Sequence, residues 1–316
     1  MICLLAFSSQ GKMEDPEAAI SFHREVLALH PLDHPDRFKF LSNLSSDLST
    51  RFNHSGRIEH LEDEISIRRE VLALHPPGHP DRSESLNNLR TVLFTRFQQL
   101  GRMEDLEETN TIHHEALTLR PIGHPDRSQS LNNLASALST RFHQLGRIED
   151  LERASSILRE ALTLCPVGHP VRSSCLNNFA DVLSARFHRL GRMEDLTDAI
   201  SSYREALTLC PLGHPHRSSY LNNLACVLST HFKQSGRVED LDEAISTHRE
   251  AITLPSLGHQ SNLNNLASAL FTRFKHSRRM EDLDEAISTR STHSLSSWSP
   301  MSFHVQQPCQ RSIYTF

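Results

Sequence analysis

The stretch Gly123–Pro166 reads GHPDRSQSLNNLASALSTRFHQLGRIEDLERASSILREALTLCP, and nearly all of the 316-residue chain repeats its pattern. A Gly-Arg or Gly-Lys dipeptide divides each copy in two, at Gly11, Gly56, Gly101, Gly146, Gly191 and Gly236. From Gly11 to Gly56 is 45 residues, and every later step has the same length. A period of this length is typical of an array of small helical units, each of which needs its neighbours to bury its apolar face.

The first half of each copy predicts an α-helix, called helix A below. Its leucines and phenylalanine recur every three or four positions from Leu131 to Leu145, as on one face of a helix. Pro125 suits the first turn because its missing N–H would have no partner there, and Asp126 complements the helix dipole. We expect Gly146 to end the helix, because glycine adopts the left-handed C-cap conformation without strain.

The second half of each copy predicts another helix, called helix B. Glu149 and Asp150 stand at its start, and apolar residues recur at helical spacing up to Leu164. Pro166 ends it, because proline has no N–H to continue the helical hydrogen bonds. The sequence therefore predicts an all-α, right-handed α-solenoid of about six helix-turn-helix repeats over residues 1–290, with a partial repeat at each end.

The last copy and the end of the chain depart from the pattern. The Pro-Asp-Arg-Ser segment is missing after His259, and Arg278 stands where the other copies have glycine. Residues 291–316 are rich in serine and lose the periodicity, which predicts a disordered tail. Neither end supplies the polar capping element of a solenoid. Our hypothesis is that the chain is a piece of a longer array, or that its gene model leaves the coding frame near Ser291.

Composition excludes several kinds of partner. The net charge is −5, and basic residues alternate with acidic ones, whereas nucleic-acid binding needs a basic stripe. No run of apolar residues reaches the ~18 to 20 that a membrane helix needs. The six cysteines form no C-x-x-C pair, which favours buried reduced thiols. We therefore predict a cytoplasmic protein that binds neither nucleic acid nor membrane.

Two motifs resemble the tetratricopeptide repeat. They are LNNLA at Leu131–Ala135 and AISSYREALTLCP at Ala199–Pro211. Together with GHPD at Gly123–Asp126, they are most similar to the kinesin-light-chain-like branch, and to fungal tetratricopeptide proteins often linked to caspase-like CHAT protease domains. The resemblance implies that helix A lines a concave groove in which asparagines hold the backbone of an extended peptide. The usual period is ~34 residues, and 45 also falls within the HEAT and armadillo range, which is the alternative fold.

The asparagine pairs in the middle of helix A are the strongest candidates for a binding site. Asparagine is a mediocre helix former, so its recurrence there needs a reason. One interpretation is that one member of each pair bonds to the neighbouring helix and fixes the stacking, because buried amides need partners. The other is a hydrogen-bonding ladder for a bound peptide, with nearby hydroxyl and arginine side chains setting selectivity. The candidate groove residues are Asn87, Asn88, Asn132, Asn133, Asn177, Asn178, Asn222, Asn223, Ser136, Thr140 and Arg141.

The histidines and cysteines favour neither a metal site nor catalysis. Histidines recur in successive copies, so they should form a row with ~10 Å steps rather than converge on one ion. They are His79, His124, His169, His214 and His259. Cys175 aligns with Ser130 of the preceding copy, whereas a nucleophile needs a unique place with its own base. We predict no cofactor and a non-catalytic scaffold that binds a peptide or partner protein. The alternative is the sensing arm of a CHAT-type protease or another signalling enzyme.

Overall fold

The computed structural model describes residues 16–31, 34, 36–254 and 259–291, and within these ranges the chain forms thirteen α-helices. They are α1 (Pro16–Leu29), α2 (Arg37–Ser55), α3 (Ile58–Leu74), α4 (Arg82–Leu100), α5 (Met103–Thr118), α6 (Arg127–Leu145), α7 (Ile148–Leu164), α8 (Arg172–Leu190), α9 (Met193–Thr208), α10 (Arg217–Ser235), α11 (Val238–Thr253), α12 (His259–Ser277) and α13 (Met280–Ser291). The even-numbered helices are helices A and the odd-numbered ones are helices B. The predicted all-α architecture of helix pairs is confirmed.

The chain divides into two compact units, residues 1–124 and 125–316. In the first unit, each helix from α1 to α5 packs against the next one along the chain. In the second unit, α6 to α13 do the same. The tail predicted for residues 291–316 lies outside the described residues, apart from Ser291 at the end of α13. None of the helices in the described ranges is long and apolar enough to cross a bilayer.

The predicted apolar faces form the core of each unit. Leu131, Leu134 and Leu138 of helix α6 are at most 1% exposed, and so are Leu151 and Leu158 of α7. Burying one such side chain contributes roughly 1.5–3 kcal/mol relative to leaving it in water. The prediction was wrong at the end of the stripe, where Leu145 is 38% exposed because the helix stops at the next residue.

Glycine ends five of the six described helices A, as predicted. Gly146 has φ 68°, and its N–H donates to the Phe142 carbonyl at 2.7 Å. In the last copy Arg278 adopts the same left-handed conformation, with φ 58° and the same bond to the Phe274 carbonyl. A side chain in this conformation costs on the order of 1 kcal/mol. The last repeat therefore keeps the shape of its turn at the expense of local strain.

The predicted start of helix A was wrong by two residues. Helix α6 begins at Arg127 rather than at Pro125. The equivalent segment of the second copy shows the reason, because the Arg82 N–H donates to the His79 carbonyl at 3.2 Å. The Pro-Asp dipeptide lies inside this turn and the helix starts only after it.

Candidate functional site

The asparagine pairs join successive helices A of the second unit. The second asparagine of one copy donates its amide N–H to the side-chain oxygen of the first asparagine in the copy before. The three bonds are Asn178 to Asn132 at 3.1 Å, Asn223 to Asn177 at 3.3 Å and Asn265 to Asn222 at 3.0 Å. We call this row of bonds the amide ladder. For these pairs, the second asparagine bonds to the neighbouring repeat as the stacking interpretation describes.

The two members of a pair differ in exposure in α6 and α8, whereas Asn222 and Asn223 of α10 are both buried. Asn132, Asn177 and Asn222 are at most 8% exposed, so their amides lie inside the stack. Asn133 and Asn178 are half-buried, and the Asn133 oxygen accepts a bond from Gln129 at 2.8 Å. Leaving a buried amide unpaired costs roughly 1–3 kcal/mol, which gives the ladder a direct role in stability. The half-buried members are the ones that solvent or a partner can reach.

Asp181 adds a carboxylate to the ladder, at the position that Ser136 occupies one copy earlier. It accepts hydrogen bonds from the Asn177 amide at 3.0 Å, from the Asn223 amide at 3.4 Å and from the Tyr203 hydroxyl. Burial raises the pKa of Asp181 to about 7, although the bonds from Tyr203 and Asn177 act in the opposite direction. Our sequence analysis missed this residue, and its signal was an acid at a position that is Ser, Thr or Cys in other copies.

Ser136, Thr140 and Arg141 lie in packing contacts of the second unit. Ser136 is 7% and Thr140 2% exposed, and the Thr140 hydroxyl donates to the Ser136 carbonyl at 3.0 Å. The Arg141 guanidinium donates two bonds to Asp150, whose side chain is only 3% exposed. Equivalent pairs are Arg96–Asp105, Arg186–Asp195, His231–Asp240 and Arg273–Asp282. Arg141 thus fastens helix A to the start of helix B in its own copy.

The candidate asparagines of the first unit lie in a more open setting. Asn87 is exposed, and its side-chain oxygen accepts a bond from Arg90 at 3.0 Å. Asn88 is half-buried and lines a cleft of about 140 Å³. The cleft wall includes Glu64, whose pKa is raised by burial despite its pairing with Arg68. These two asparagines therefore lie at an accessible surface of α4.

A second contact, repeated in four of the copies, is made by an arginine at the start of helix A, which our sequence analysis did not single out. Arg172 donates to the Cys165 carbonyl at 2.5 Å and to the Leu162 carbonyl at 3.4 Å, both at the end of the preceding helix B. It also donates twice to Glu205 of the following helix B. Arg37, Arg82 and Arg217 make the same bonds. One guanidinium therefore holds three helices together.

The two sides of the second unit are joined differently. Helices A contact each other directly, α6 with α8, α8 with α10 and α10 with α12. Helices B are linked by long side chains instead, as in the ion pairs Arg204–Glu243 and Arg249–Glu285 at 2.6 Å. Two short asparagines span a smaller gap than an arginine and a glutamate. The helix A side is therefore the more closely spaced side of this unit.

Burial keeps one of the described thiols protonated and two histidines neutral. Cys165, Cys175, Cys210 and Cys226 are buried and reduced, as predicted. Burial raises the pKa of the Cys175 thiol, and the neighbouring Cys165 acts in the same direction. A thiol in that state stays protonated and is a poor nucleophile. Burial also lowers the pKa of His113 to about 3 and that of His248 to about 4, so both stay neutral core residues.

Residues 217–252, which include all of α10 and nearly all of α11, match the family model of the tetratricopeptide repeat. This segment, a single helix pair, is similar to a tetratricopeptide repeat. The resemblance stated from the LNNLA and helix B motifs is confirmed, and the other copies carry the same helix pair at the 45-residue period. The HEAT and armadillo alternative is not needed to explain the fold.

Several solved structures are similar to this chain. The crystal structure of the nearly identical TPR-like repeats of a Podosopora anserina putative kinesin light chain is 19% identical, with a TM-score of 0.47, and the match covers 69% of this chain and 100% of that one. BtubC (BKLC) from P. vanneervenii is 18% identical, with a TM-score of 0.50 and coverage of 77% and 93%. At this identity the likeness concerns the fold alone. No curated protein sequence matches the chain.

Proposed function

We propose that the chain is a non-catalytic scaffold that binds an extended peptide or a segment of a partner protein along the helix A side of its second unit. Tetratricopeptide repeats support a protein-interaction role in general. The observation that carries the finer proposal is the row of half-buried polar groups on this closely spaced side. In helix α8 they are Asn178, Asp181 and Ser184, and Asn133 precedes them in α6.

The amide ladder leaves hydrogen-bonding capacity for a ligand. A side-chain amide has two N–H groups and two lone pairs. Asn178 uses one N–H for Asn132 and accepts one bond from Asn177 at 3.4 Å. The remaining capacity suits the alternating C=O and N–H groups of an extended peptide. Each such bond contributes only ~0.5–1.5 kcal/mol, so useful affinity requires several copies in register.

A bulky substitution on each side of one repeat tests the proposal. Ser184 is half-buried on α8, and Ser201 is exposed on α9 of the same repeat. Peptides selected from a random library against the full chain should bind Ser184→Trp at least about tenfold more weakly, a loss of about 1.4 kcal/mol. They should bind Ser201→Trp as tightly as the unchanged chain. Melting temperatures of both variants check the fold, and equal binding by both would refute the helix A side as the site.

Amide variants separate binding from stacking. Asn132→Ala with Asn177→Ala removes two buried acceptors of the ladder, so we expect lower stability as well as weaker peptide binding. Asn133→Ala removes a half-buried amide outside these three bonds, and we expect weaker binding with an almost unchanged melting temperature. Unchanged peptide binding by folded Asn133→Ala would leave the amides with a structural role only. The alternative, a sensing arm of a CHAT-type protease or another signalling enzyme, stays a prediction.

A further inference from the structure

The loop between α3 and α4 brings two imidazoles and a carboxylate together. His75 follows α3, and the turn from Pro76 to His79 is closed by a 2.9 Å bond between the His79 N–H and the Pro76 carbonyl. The turn stacks the His79 ring on the His75 ring, with centroids 4.2 Å apart and planes at 12°. One ligand atom from each of His75, His79 and Asp81 lies within 4.8 Å of the other two. The sequence analysis looked for convergence between copies and missed this convergence within one loop.

The hydrogen bond of His75 leaves a free lone pair, whereas the lone pair of His79 is engaged in a hydrogen bond that the ion has to replace. His75 Nδ1 lies 2.7 Å from the Ser85 hydroxyl, and both residues are buried. When Nδ1 donates its proton to that oxygen, Nε2 keeps a lone pair, and metal-binding histidines are commonly oriented in this way. His79 Nδ1 accepts the Asp81 backbone N–H at 3.1 Å, so its lone pair also lies on the side of Asp81.

We propose that His75, His79 and Asp81 bind a divalent transition-metal ion, best Zn²⁺, with the fourth position left to water. Imidazole nitrogen and carboxylate oxygen are zinc ligands at about 2.0–2.2 Å, which places ligand atoms about 3.4 Å apart in a tetrahedral site. To reach that geometry the three groups have to close by roughly 1 Å. The His79 ring also has to turn out of its stack on His75, because an imidazole binds a metal ion in the plane of its own ring. The side chains of His79 and Asp81 are 34% and 55% exposed, so they have room to move, and the Asp81 N–H can turn to water. The ion fastens the end of α3 to the start of α4.

Sister loops of the same chain supply matched substitutions. The third copy has Arg120 at the position of His75, and the fourth has Val171 at the position of Asp81. Their turns keep the same bond, from His124 to Pro121 and from His169 to Pro166, both at 3.0 Å. His75→Arg and Asp81→Val therefore introduce residues that this loop accepts elsewhere. Asp81 is exposed, so its variant tests the site even if replacing the buried His75 disturbs the fold.

The loop between α1 and α2, the first loop, provides a control that places the ion in the second loop. It carries His30, His34 and Asp36 at the same places, but its two rings meet at 85° and His30 Nδ1 lies 2.6 Å from the Val26 carbonyl. Among the described residues, the ligand atoms of three such side chains come together in the second loop and not in the first. His34→Ala should therefore leave zinc binding at the second loop unchanged.

The experiment is equilibrium dialysis of the full chain against Zn²⁺, with bound metal counted by mass spectrometry. We expect one tightly held ion per chain, at least about tenfold weaker binding in His75→Arg and Asp81→Val, and no change in His34→Ala. Zn²⁺ should also raise the melting temperature of the unchanged chain and of His34→Ala, but not that of Asp81→Val. Absence of zinc binding by the unchanged chain, or unaltered binding by Asp81→Val, overturns the proposal. Loss of binding in His34→Ala alone also overturns it, because the ion then belongs to the first loop.

Discussion

Replacing Arg172 by alanine should destabilise the second unit by about 2–4 kcal/mol, whereas removing the charge of its ion-pair partner should cost less than about 1 kcal/mol. The Arg172 side chain is 17% exposed and caps the end of α7 through the Cys165 and Leu162 carbonyls. A bond from a charged donor contributes about 1.5–3 kcal/mol, and a cation near a helix C-terminus adds about 0.3–1 kcal/mol. Glu205 is 44% exposed, so water screens its pairing with Arg172. The carbonyl bonds are therefore the larger contribution.

Urea unfolding followed by circular dichroism measures this difference, with Glu205→Gln as the comparison. Repeat arrays unfold in parts, so amide hydrogen exchange should accompany it and localise the loss to the end of α7. Arg217→Ala should repeat the effect one copy later, because its guanidinium lies 2.6 Å from the Cys210 carbonyl and 3.3 Å from the Leu207 carbonyl. If Glu205→Gln cost as much as Arg172→Ala, the ion pair and not the carbonyl capping would hold the three helices together.

Three further substitutions should each change the stability of the folded chain in a way that tests the role of one residue. Arg278→Gly should stabilise the last repeat by about 1 kcal/mol in urea unfolding, because glycine adopts φ 58° without strain; a loss of stability would contradict this. His248→Leu should remove an acid-dependent loss of stability. The pKa of buried His248 is about 4, so the unchanged chain weakens as the pH falls from about 6.5 towards 4, by about 2 kcal/mol at pH 5; equal pH dependence of both melting curves would refute it. Asp181→Asn should gain stability over the unchanged chain as the pH rises from 5 to 8, because the raised pKa of about 7 makes ionisation of Asp181 unfavourable in the folded state. We expect about 1 kcal/mol, since the side chain is half-buried and partly screened by water, and a gain independent of pH would exclude this cause.

Features that depend on near neighbours along the chain followed from the sequence. Gly146 ends its helix in the left-handed conformation, and Leu131, Leu134 and Leu138 are buried as their spacing predicts. The start of helix A was missed because the Pro-Asp turn delays it to Arg127. That turn depends on a backbone bond which the hydrophobic period does not reveal.

The burial of each candidate site residue depends on contacts between copies. A repeating sequence does not show which residues of two copies come into contact. Asn132 and Asn133 are adjacent and chemically identical, yet one is buried in the amide ladder and the other is half-buried. Arg141 was predicted to line the groove, but its guanidinium pairs with Asp150, nine residues further along the chain. Which amide meets which helix is set by the rotation of one helix pair on the next, and the sequence analysis had no measure of that rotation.

Local stereochemistry and the 45-residue period were thus enough to predict the helix pairs and their glycine ends, because each follows from interactions within one copy. The tertiary structure alone decided the roles of the polar residues. Only packing buries Asp181 and places Tyr203 against it. Hydrogen bonds and pKa values depend on distances of a few ångströms between groups far apart in the chain, and those distances exist only once the repeats have stacked.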